Sequence, residues 1–249
     1  MAKLKSLLKI EGTLGGITFY KTKDGNLVRE KGGVSKEKIL NDPRYARTRE
    51  NMQEFSSSAK ACKLLRDAIS PLLSSAKDSG VNARLLKIMS AILKEDSTNM
   101  RGWRSPANGL LNATGKMMLK SFNFNIASPL SSILNKAFEL DQTTGVISIN
   151  DLVPMNNLSV PVGATHVGFS GAMLKIDFET RIYDCKLTNV QNIMINSVPS
   201  TITLTPANIP IGNGITICFL KIEFFQEINT IQYSLRNGAF NSLAVIEIV

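Results

Sequence analysis

The side chains best suited to chemistry are few in this sequence and widely spaced. The single histidine, His166, lies in the apolar segment GATHVGFSG, and Asp177 and Glu179 follow it with Asp184 nearby. Paired carboxylates, or a histidine beside a nucleophile, could support acid–base chemistry, calcium binding or glycoside chemistry. A solvated strand face is the more common origin of such a pattern. An enzyme or a ligand- or carbohydrate-binding β-sandwich that uses these side chains is therefore our third hypothesis.

The three cysteines do not predict a metal or redox centre. Cys62, Cys185 and Cys218 are odd in number, far apart and surrounded by apolar residues, which is typical of reduced structural thiols. No two of them have zinc-ligand spacing with each other or with His166. The sequence thus predicts no cofactor, no metal and no catalytic residue, and the thiols favour a reducing, cytoplasmic compartment.

Positive charge is concentrated in the first half of the chain. Residues 1–120 hold 23 Lys and Arg against 11 Asp and Glu, a net charge of +12, whereas residues 121–249 hold 6 against 9, a net charge of −3. A basic half is available to an anionic partner. Nucleic-acid binding is our second hypothesis, and its candidate phosphate contacts are Arg44, Arg47, Arg49, Lys60, Lys63, Arg84 and Lys87. Trp103 lies between two arginines but favours a packing role over base stacking.

No membrane insertion is expected. The longest apolar stretch, ITICFLKIEFF, is interrupted by Lys221 and Glu223, whereas a membrane-spanning helix needs about 18 or more apolar residues.

The glycine-rich stretch EGTLGGITFYKTKDGNLVREKGG, residues 11–33, precedes the first helix. Its Asp24-Gly25 pair lies between two β-prone runs, which predicts a hairpin. The phosphate-binding pattern G-x-x-x-x-G-K-[ST] is absent from it. We therefore interpret this arm as a hairpin.

The arm is also the predicted assembly interface. Its candidate residues are Gly12, Gly15, Gly16, Phe19 and Tyr20. The glycines are expected to let the backbone approach a partner closely. Because adjacent strand residues point to opposite faces, one aromatic ring should be buried in the protein's own core or sheet and the other should lie in a contact.

Two amphipathic helices follow the arm. Asp42-Pro43 is a helix-start signal, and apolar residues then recur at helical spacing at Met52, Phe55, Ala59, Cys62, Leu65 and Ile69. A second helix is predicted over residues 81–95, with Leu85, Ile88, Met89 and Ile92 facing inward. The two helices are expected to pack as an antiparallel pair.

From about residue 121 the apolar period becomes that of strands, separated by turn signals such as PVGA, PIGNG and RNGAFN. The sequence therefore predicts an α+β protein with an N-terminal β-hairpin arm, an antiparallel helix pair and a C-terminal antiparallel β-sandwich. We place the domain boundary between a basic region, residues 1–120, and a sandwich, residues 121–249.

Several motifs resemble a known family. IEGTLGGITFYKTKDGNLVREKGGVSKEKILNDPRYARTREN, KLLRDAI, GATHVGF, FFQEIN and LRNGAFNSLAVIEI are similar to segments of an uncharacterised family of roughly 250-residue proteins from Bacteroidota. The resemblance covers nearly the whole chain. It implies one architecture for the helical and β parts and a complete member of the family, and it implies no activity, cofactor or catalytic residue.

Our first hypothesis is a non-enzymatic structural or assembly protein that associates with other copies of itself through the arm and its sheet edges. A two-stranded hairpin is marginal alone, so the arm must pack on its own domain or on a neighbour's sheet. A basic N-terminal arm followed by a sandwich also resembles the layout of many capsid proteins, although architecture alone is a weak guide to function.

Overall fold

The computed structural model describes residues 2–3, 10–23, 25–30 and 32–249. The chain divides into two compact units, Met1–Arg49 and Glu50–Val249. It is an α+β protein, as the sequence predicts.

The first unit contains one antiparallel sheet and a short helical segment. Its strands are β1 (Ala2–Lys3), β2 (Gly12–Leu14), β3 (Ile17–Thr22) and β4 (Gly25–Glu30), in the order β1-β4-β3-β2. The predicted hairpin is therefore present as the antiparallel pair β3 and β4, and Asp24 of its Asp24-Gly25 signal lies outside the described residues.

Helix α1 (Lys36–Asn41) follows the sheet and is capped by Ser35, whose side chain accepts the backbone N–H of Lys38. Asp42 then begins the 3₁₀ turn Pro43–Tyr45, its Oδ1 accepting the backbone N–H of Arg44 at 2.9 Å. Helix α2 (Ala46–Ala68) continues from this turn, close to where the Asp42-Pro43 signal predicts a helix.

The remaining helices belong to the second unit. They are α3 (Ser70–Leu73), α4 (Val81–Lys94), α5 (Pro106–Gly109), α6 (Ala113–Leu119), α7 (Leu130–Ile133) and α8 (Pro154–Asn157). Helix α4 packs most closely against α5 and α6, and it shares a core with α2. A Cβ added to Gly109 would lie 2.0 Å from the carbonyl oxygen of Ile92, so the α4–α5 contact depends on glycine.

Two antiparallel sheets form the β part. The strands are β5 (Glu139–Leu140), β6 (Ile147–Leu152), β7 (His166–Asp177), β8 (Ile182–Leu187), β9 (Gln191–Met194), β10 (Ser200–Leu204), β11 (Ile215–Ile228), β12 (Ile231–Ser234) and β13 (Ser242–Ile248). The long strands β7 and β11 pair at the centre of a six-stranded sheet, in which β12 and β13 share one side of β11 while β8 and β9 share the far side of β7. The smaller sheet has the order β10-β6-β5.

The second unit has three layers held by two apolar cores. One core lies between the helices and the six-stranded sheet and includes Leu65, Leu85 and Phe219. The other fills the space between the two sheets and includes Ile149 and Phe224. The sandwich is thus covered by helices on one face.

The chain does not divide at the predicted boundary between residues 120 and 121. Helical residues after Glu50 share a core with the sheet, because the apolar faces of α2 and α4 are covered by β7, β11 and β13. The change in charge near residue 120 marks a change in surface composition and not the end of a folding unit.

The apolar face predicted for α2 is only partly buried. Cys62, Leu65 and Ile69 belong to the core, whereas Met52 and Phe55 are more than half exposed. Helical spacing alone identifies an apolar stripe but does not show how far along the helix the core extends.

Candidate interaction sites

One face of the arm sheet carries four apolar side chains, with Lys21, Asn26 and Glu30 at its margin. Phe19 lies opposite Val28 on β4, and Ile17 lies opposite Leu14 on β2. Because directly opposed residues of an antiparallel pair share a face, these four side chains form one surface, which we call the arm face. Leu14 is 70% exposed and Ile17 is 41% exposed, so this surface is open to a partner.

The opposite face of the same sheet is more polar. Tyr20 lies opposite Leu27, with the Arg29 guanidinium 5.3 Å from the centre of its ring. Thr13 and Thr18 also lie on this face, where their hydroxyl groups are 3.1 Å apart. Phe19 and Tyr20 therefore point to opposite faces, and the arm face is the more apolar of the two.

No described side chain in residues 10–49 is buried. Phe19 and Tyr20 are both half-buried, so the expected contrast between one buried and one contacting ring is not found. The reason is that the described residues of this unit form a sheet one layer thick and enclose no apolar core.

Gly15 and Gly16 have a conformational role in the hairpin, and their close approach to a partner stays a prediction. They join β2 to β3 with φ angles of +57° and +85°, the geometry of a two-residue hairpin turn. No heavy atom lies within 4 Å of a Cβ added to either residue or to Gly12. A larger residue at Gly15 or Gly16 would therefore strain the hairpin whether or not a partner is present.

Most of the basic residues suggested as phosphate contacts have partners within the protein. Arg44 forms an ion pair with Asp42 at 2.9 Å, and Arg49 donates to the carbonyl oxygens of Ile39 and Asp42. Arg47 lies exposed in the first turn of α2.

In the second unit, Lys63 pairs with Asp67 at 2.7 Å. Arg84 pairs with Asp78 and donates to the carbonyl oxygens of Asn123 and Phe124. Lys60 and Lys87 are exposed and line two different clefts. Arg84 and Lys87 line one cleft together with Lys120, whereas Lys60 lines another.

His166 is isolated from the carboxylates considered with it. Its Nδ1 lies 3.0 Å from the Thr165 hydroxyl and its Nε2 lies 3.5 Å from a carboxylate oxygen of Glu227. Asp177 is at the other end of β7, about 35 Å away along an extended strand. The structure thus assembles no catalytic pair from His166 and Asp177.

Asp177 shapes the β7–β8 turn. Its Oδ1 accepts the backbone N–H of Glu179 at 2.8 Å, and its Oδ2 accepts the Thr180 hydroxyl at 2.7 Å. These hydrogen bonds lower the pKa of Asp177. The role of its carboxylate is therefore to hold the turn, and Glu179 projects from that turn with an exposed side chain.

The loop between α4 and α5 carries the most exposed aromatic side chain of the second unit. Trp103 is 70% exposed, and its backbone N–H donates to the carbonyl of Met100 at 2.9 Å. The neighbours of Trp103 are fastened to α2. Glu54 accepts two hydrogen bonds from the Arg104 guanidinium, at 2.8 and 3.0 Å, and a third from the backbone N–H of Gly102 at 2.8 Å.

Asp96 organises the other side of this loop. It is 4% exposed and accepts backbone N–H groups of Thr98, Asn99 and Ser105 at 2.9–3.0 Å, as well as the side-chain amides of Asn99 and Asn108. Burial raises the pKa of Asp96, but these hydrogen bonds outweigh burial and lower the pKa to about 2. Asp96 was not among the residues singled out from the sequence, although Asp followed by Ser-Thr-Asn is a turn signal that could have indicated it.

A cleft of about 390 Å³ lies beside Trp103. It is bounded by α2, the Trp103 loop and the β7–β8 turn. Its polar lining includes Gln53, Lys60, Asn99, Asn108, Glu179 and Arg181. We call it the Trp103 cleft. Of the residues predicted to carry chemistry, it contains Lys60 and Glu179.

Within the described parts of the chain, no group of three or more His, Cys, Asp and Glu side chains could hold a metal ion. Nor does any described helix have the length and apolar character needed to cross a membrane.

Comparisons with protein-family models, with curated proteins and with solved structures find no match for this chain. The resemblance to the Bacteroidota family stays a prediction from the quoted motifs.

Proposed function

We propose that this is a non-enzymatic structural protein that associates with other copies of itself through the arm. The observation that carries the proposal is the arm face, an apolar sheet surface on a unit in which no described side chain is buried. A thin sheet with one apolar face gains little by itself and becomes stable when another surface covers it.

The arm also offers a strand edge. β2 lies at the end of the sheet order, so its outer backbone groups have no strand partner among the described residues. Such an edge can add to the sheet of another protein, with main-chain hydrogen bonds supplying affinity and side chains supplying specificity.

A second copy of the chain provides a suitable surface. The tip of the β11–β12 hairpin exposes Ile228, Ile231 and Tyr233, each between 51% and 55% exposed, and β12 is an edge strand. The arm of one copy would then cover the β12 edge of the next in a head-to-tail contact.

We also propose that the protein is located in a reducing compartment, the cytoplasm. The three cysteines are free thiols, and burial raises the pKa of Cys62 and Cys218 to about 11. Free, unreactive thiols need no oxidising compartment.

Nucleic-acid binding has less support. Apart from Lys60 and Lys87, the candidate cations of the second unit are engaged by carboxylates or carbonyl oxygens, and neutralising phosphates would require several available cations on one surface.

Size-exclusion chromatography with light scattering tests the assembly proposal over a range of protein concentrations. The wild-type chain should form concentration-dependent oligomers, and the double variant Leu14→Ser/Ile17→Ser should shift the midpoint of assembly to at least about ten-fold higher concentration, because two apolar contacts are lost. Ile231→Ser should weaken assembly in the same direction.

Leu111→Ser is the matched control, since Leu111 is also 70% exposed but lies on the helical layer. It should leave the midpoint unchanged. Equal weakening by Leu111→Ser and by the arm variants, with no change in thermal stability, would contradict an interface at the arm face.

A further inference from the structure

We propose that the Trp103 cleft binds a saccharide, with Trp103 packing against the apolar face of a sugar ring. This inference is independent of the arm and of assembly. Its first support is the indole, which is 70% exposed on a loop whose adjacent residues Gly102 and Arg104 are both hydrogen-bonded to Glu54.

The walls of the cleft are fixed before any ligand arrives. Glu54 holds the loop on both sides of Trp103, through the backbone N–H of Gly102 and the guanidinium of Arg104, and Asp96 holds it through the backbone N–H of Ser105. Asp177 holds the turn that carries Glu179 and Arg181. A preformed site loses little conformational entropy on binding. The volume of about 390 Å³ is within the range of about 300–1,000 Å³ typical of small-ligand sites.

The polar groups suit a ligand rich in hydroxyl groups. Asn99 and Asn108 both direct their side-chain N–H groups to Asp96, at 2.9 and 3.4 Å, which leaves the carbonyl oxygen of each as the atom able to accept from a ligand. Glu179 adds a further acceptor, while Lys60 and Arg181 are donors. A sugar hydroxyl both donates and accepts, so it can use the two kinds of group together.

A phosphate ligand fits less well. Phosphate oxygens only accept hydrogen bonds at neutral pH, and the acceptor oxygens of Asn99, Asn108 and Glu179 would oppose them. Lys60 and Arg181 are the two cations in the described lining of the cleft, and Glu179 is an anion in the same lining. The balance of donors and acceptors therefore favours a neutral, hydroxyl-rich ring over a nucleotide.

Trp103 is the only tryptophan in the chain, so fluorescence excited selectively in tryptophan and not in the four tyrosines reports on this cleft. The full-length protein would be titrated with galactose, mannose and N-acetylglucosamine and with tetrasaccharides of each. We expect at least one of these sugars to shift the emission and to protect the indole from acrylamide quenching, with a dissociation constant of about 1 mM or lower, on the order of weak small-ligand binding. Uridine 5′-monophosphate and a single-stranded oligonucleotide should produce neither effect.

Three variants identify the site by isothermal titration calorimetry with the sugar that binds best. Trp103→Ala should abolish detectable binding, and Gln53→Ala should weaken it about three-fold to ten-fold through loss of one hydrogen bond. Glu179→Gln should weaken sugar binding several-fold, whereas it would strengthen binding of a phosphate ligand. Glu139→Gln, an exposed carboxylate on β5, is the matched control and should have no effect.

The proposal is overturned if no sugar in the set changes the Trp103 emission. It is also overturned if uridine 5′-monophosphate or the oligonucleotide binds instead, or if a sugar binds equally well to Trp103→Ala. None of these outcomes would change the protein concentration at which the arm variants assemble. The saccharide proposal and the assembly proposal can therefore be contradicted independently.

Discussion

Residues 10–49 and residues 50–249 stabilise themselves in different ways. The second unit buries Phe124, Phe169, Phe219 and Phe224 completely, in cores above and below one central sheet. The described residues of the first unit form hydrogen-bonded strands without a buried side chain. The comparison teaches that backbone pairing fixes the shape of the arm, whereas apolar burial fixes the stability of the second unit.

The largest expected difference is in the free energy of unfolding when a phenylalanine is replaced by alanine in each region. Phe219→Ala should lower the free energy of unfolding by about 3–5 kcal/mol, because Phe219 is fully buried and its ring centre is 6.2 Å from that of Phe124. Phe19→Ala should lower it by about 1 kcal/mol or less in dilute solution. Chemical denaturation measures both values, and a comparable loss in the two variants would mean that the arm belongs to the same folding unit.

A second difference concerns acid stability. The pKa of Asp96 is lowered to about 2 in the folded protein, against about 3.9 in an unfolded chain. A carboxyl with a depressed pKa stabilises the fold above its unfolded pKa, and this stabilisation is lost as the pH falls from about 4 to about 2. It amounts to roughly 2 kcal/mol.

Asp96→Asn should therefore destabilise the protein by about 2 kcal/mol at pH 7 and should make stability less dependent on pH in that window. Asp42→Asn is the counterpart in the first unit, where hydrogen bonds from Arg44 lower the pKa of a half-buried carboxylate. Urea denaturation at several pH values should show no change in the global transition for Asp42→Asn. A pH profile for Asp96→Asn parallel to that of the wild type would contradict the assigned role.

The smallest expected difference between the two regions is in the reactivity of their thiol groups. Burial raises the pKa values of Cys62, Cys185 and Cys218 to about 11, so about one thiol in a thousand is ionised at pH 8. A disulfide reagent such as Ellman's should react slowly with the native protein and rapidly with all three thiols in guanidinium. In Lys23→Cys, the new thiol at the arm turn should react at the rate of a free thiol. Rapid labelling of the three native cysteines would show that the second unit opens more readily than its burial indicates.

The helices and strands could be predicted from local sequence signals, but the way they pack against one another could not. Asp42-Pro43 indicates the start of α2, and the hairpin signal at Asp24-Gly25 indicates β3 and β4. The alternating pattern also predicts the sheets of the second half. Each of these signals lies within a few residues of the feature that it predicts.

Features set by contacts between distant segments were missed or misplaced. Met52 and Phe55 match a helical stripe, but the core ends before it reaches them. Lys221 alternates with apolar residues, which does not reveal that it is 4% exposed and lies 3.0 Å from Glu223. The Trp103 cleft joins three segments that are far apart in the sequence, so no local pattern could have located it.

Sedimentation velocity of the full chain and of a chain lacking residues 1–33, over the same range of concentrations, tests the central claim most directly. The arm-mediated account predicts that the full chain associates as its concentration rises and that the shortened chain stays monomeric with its second unit folded. A full chain that is monomeric at every concentration, or a shortened chain that associates as strongly as the full one, would contradict it.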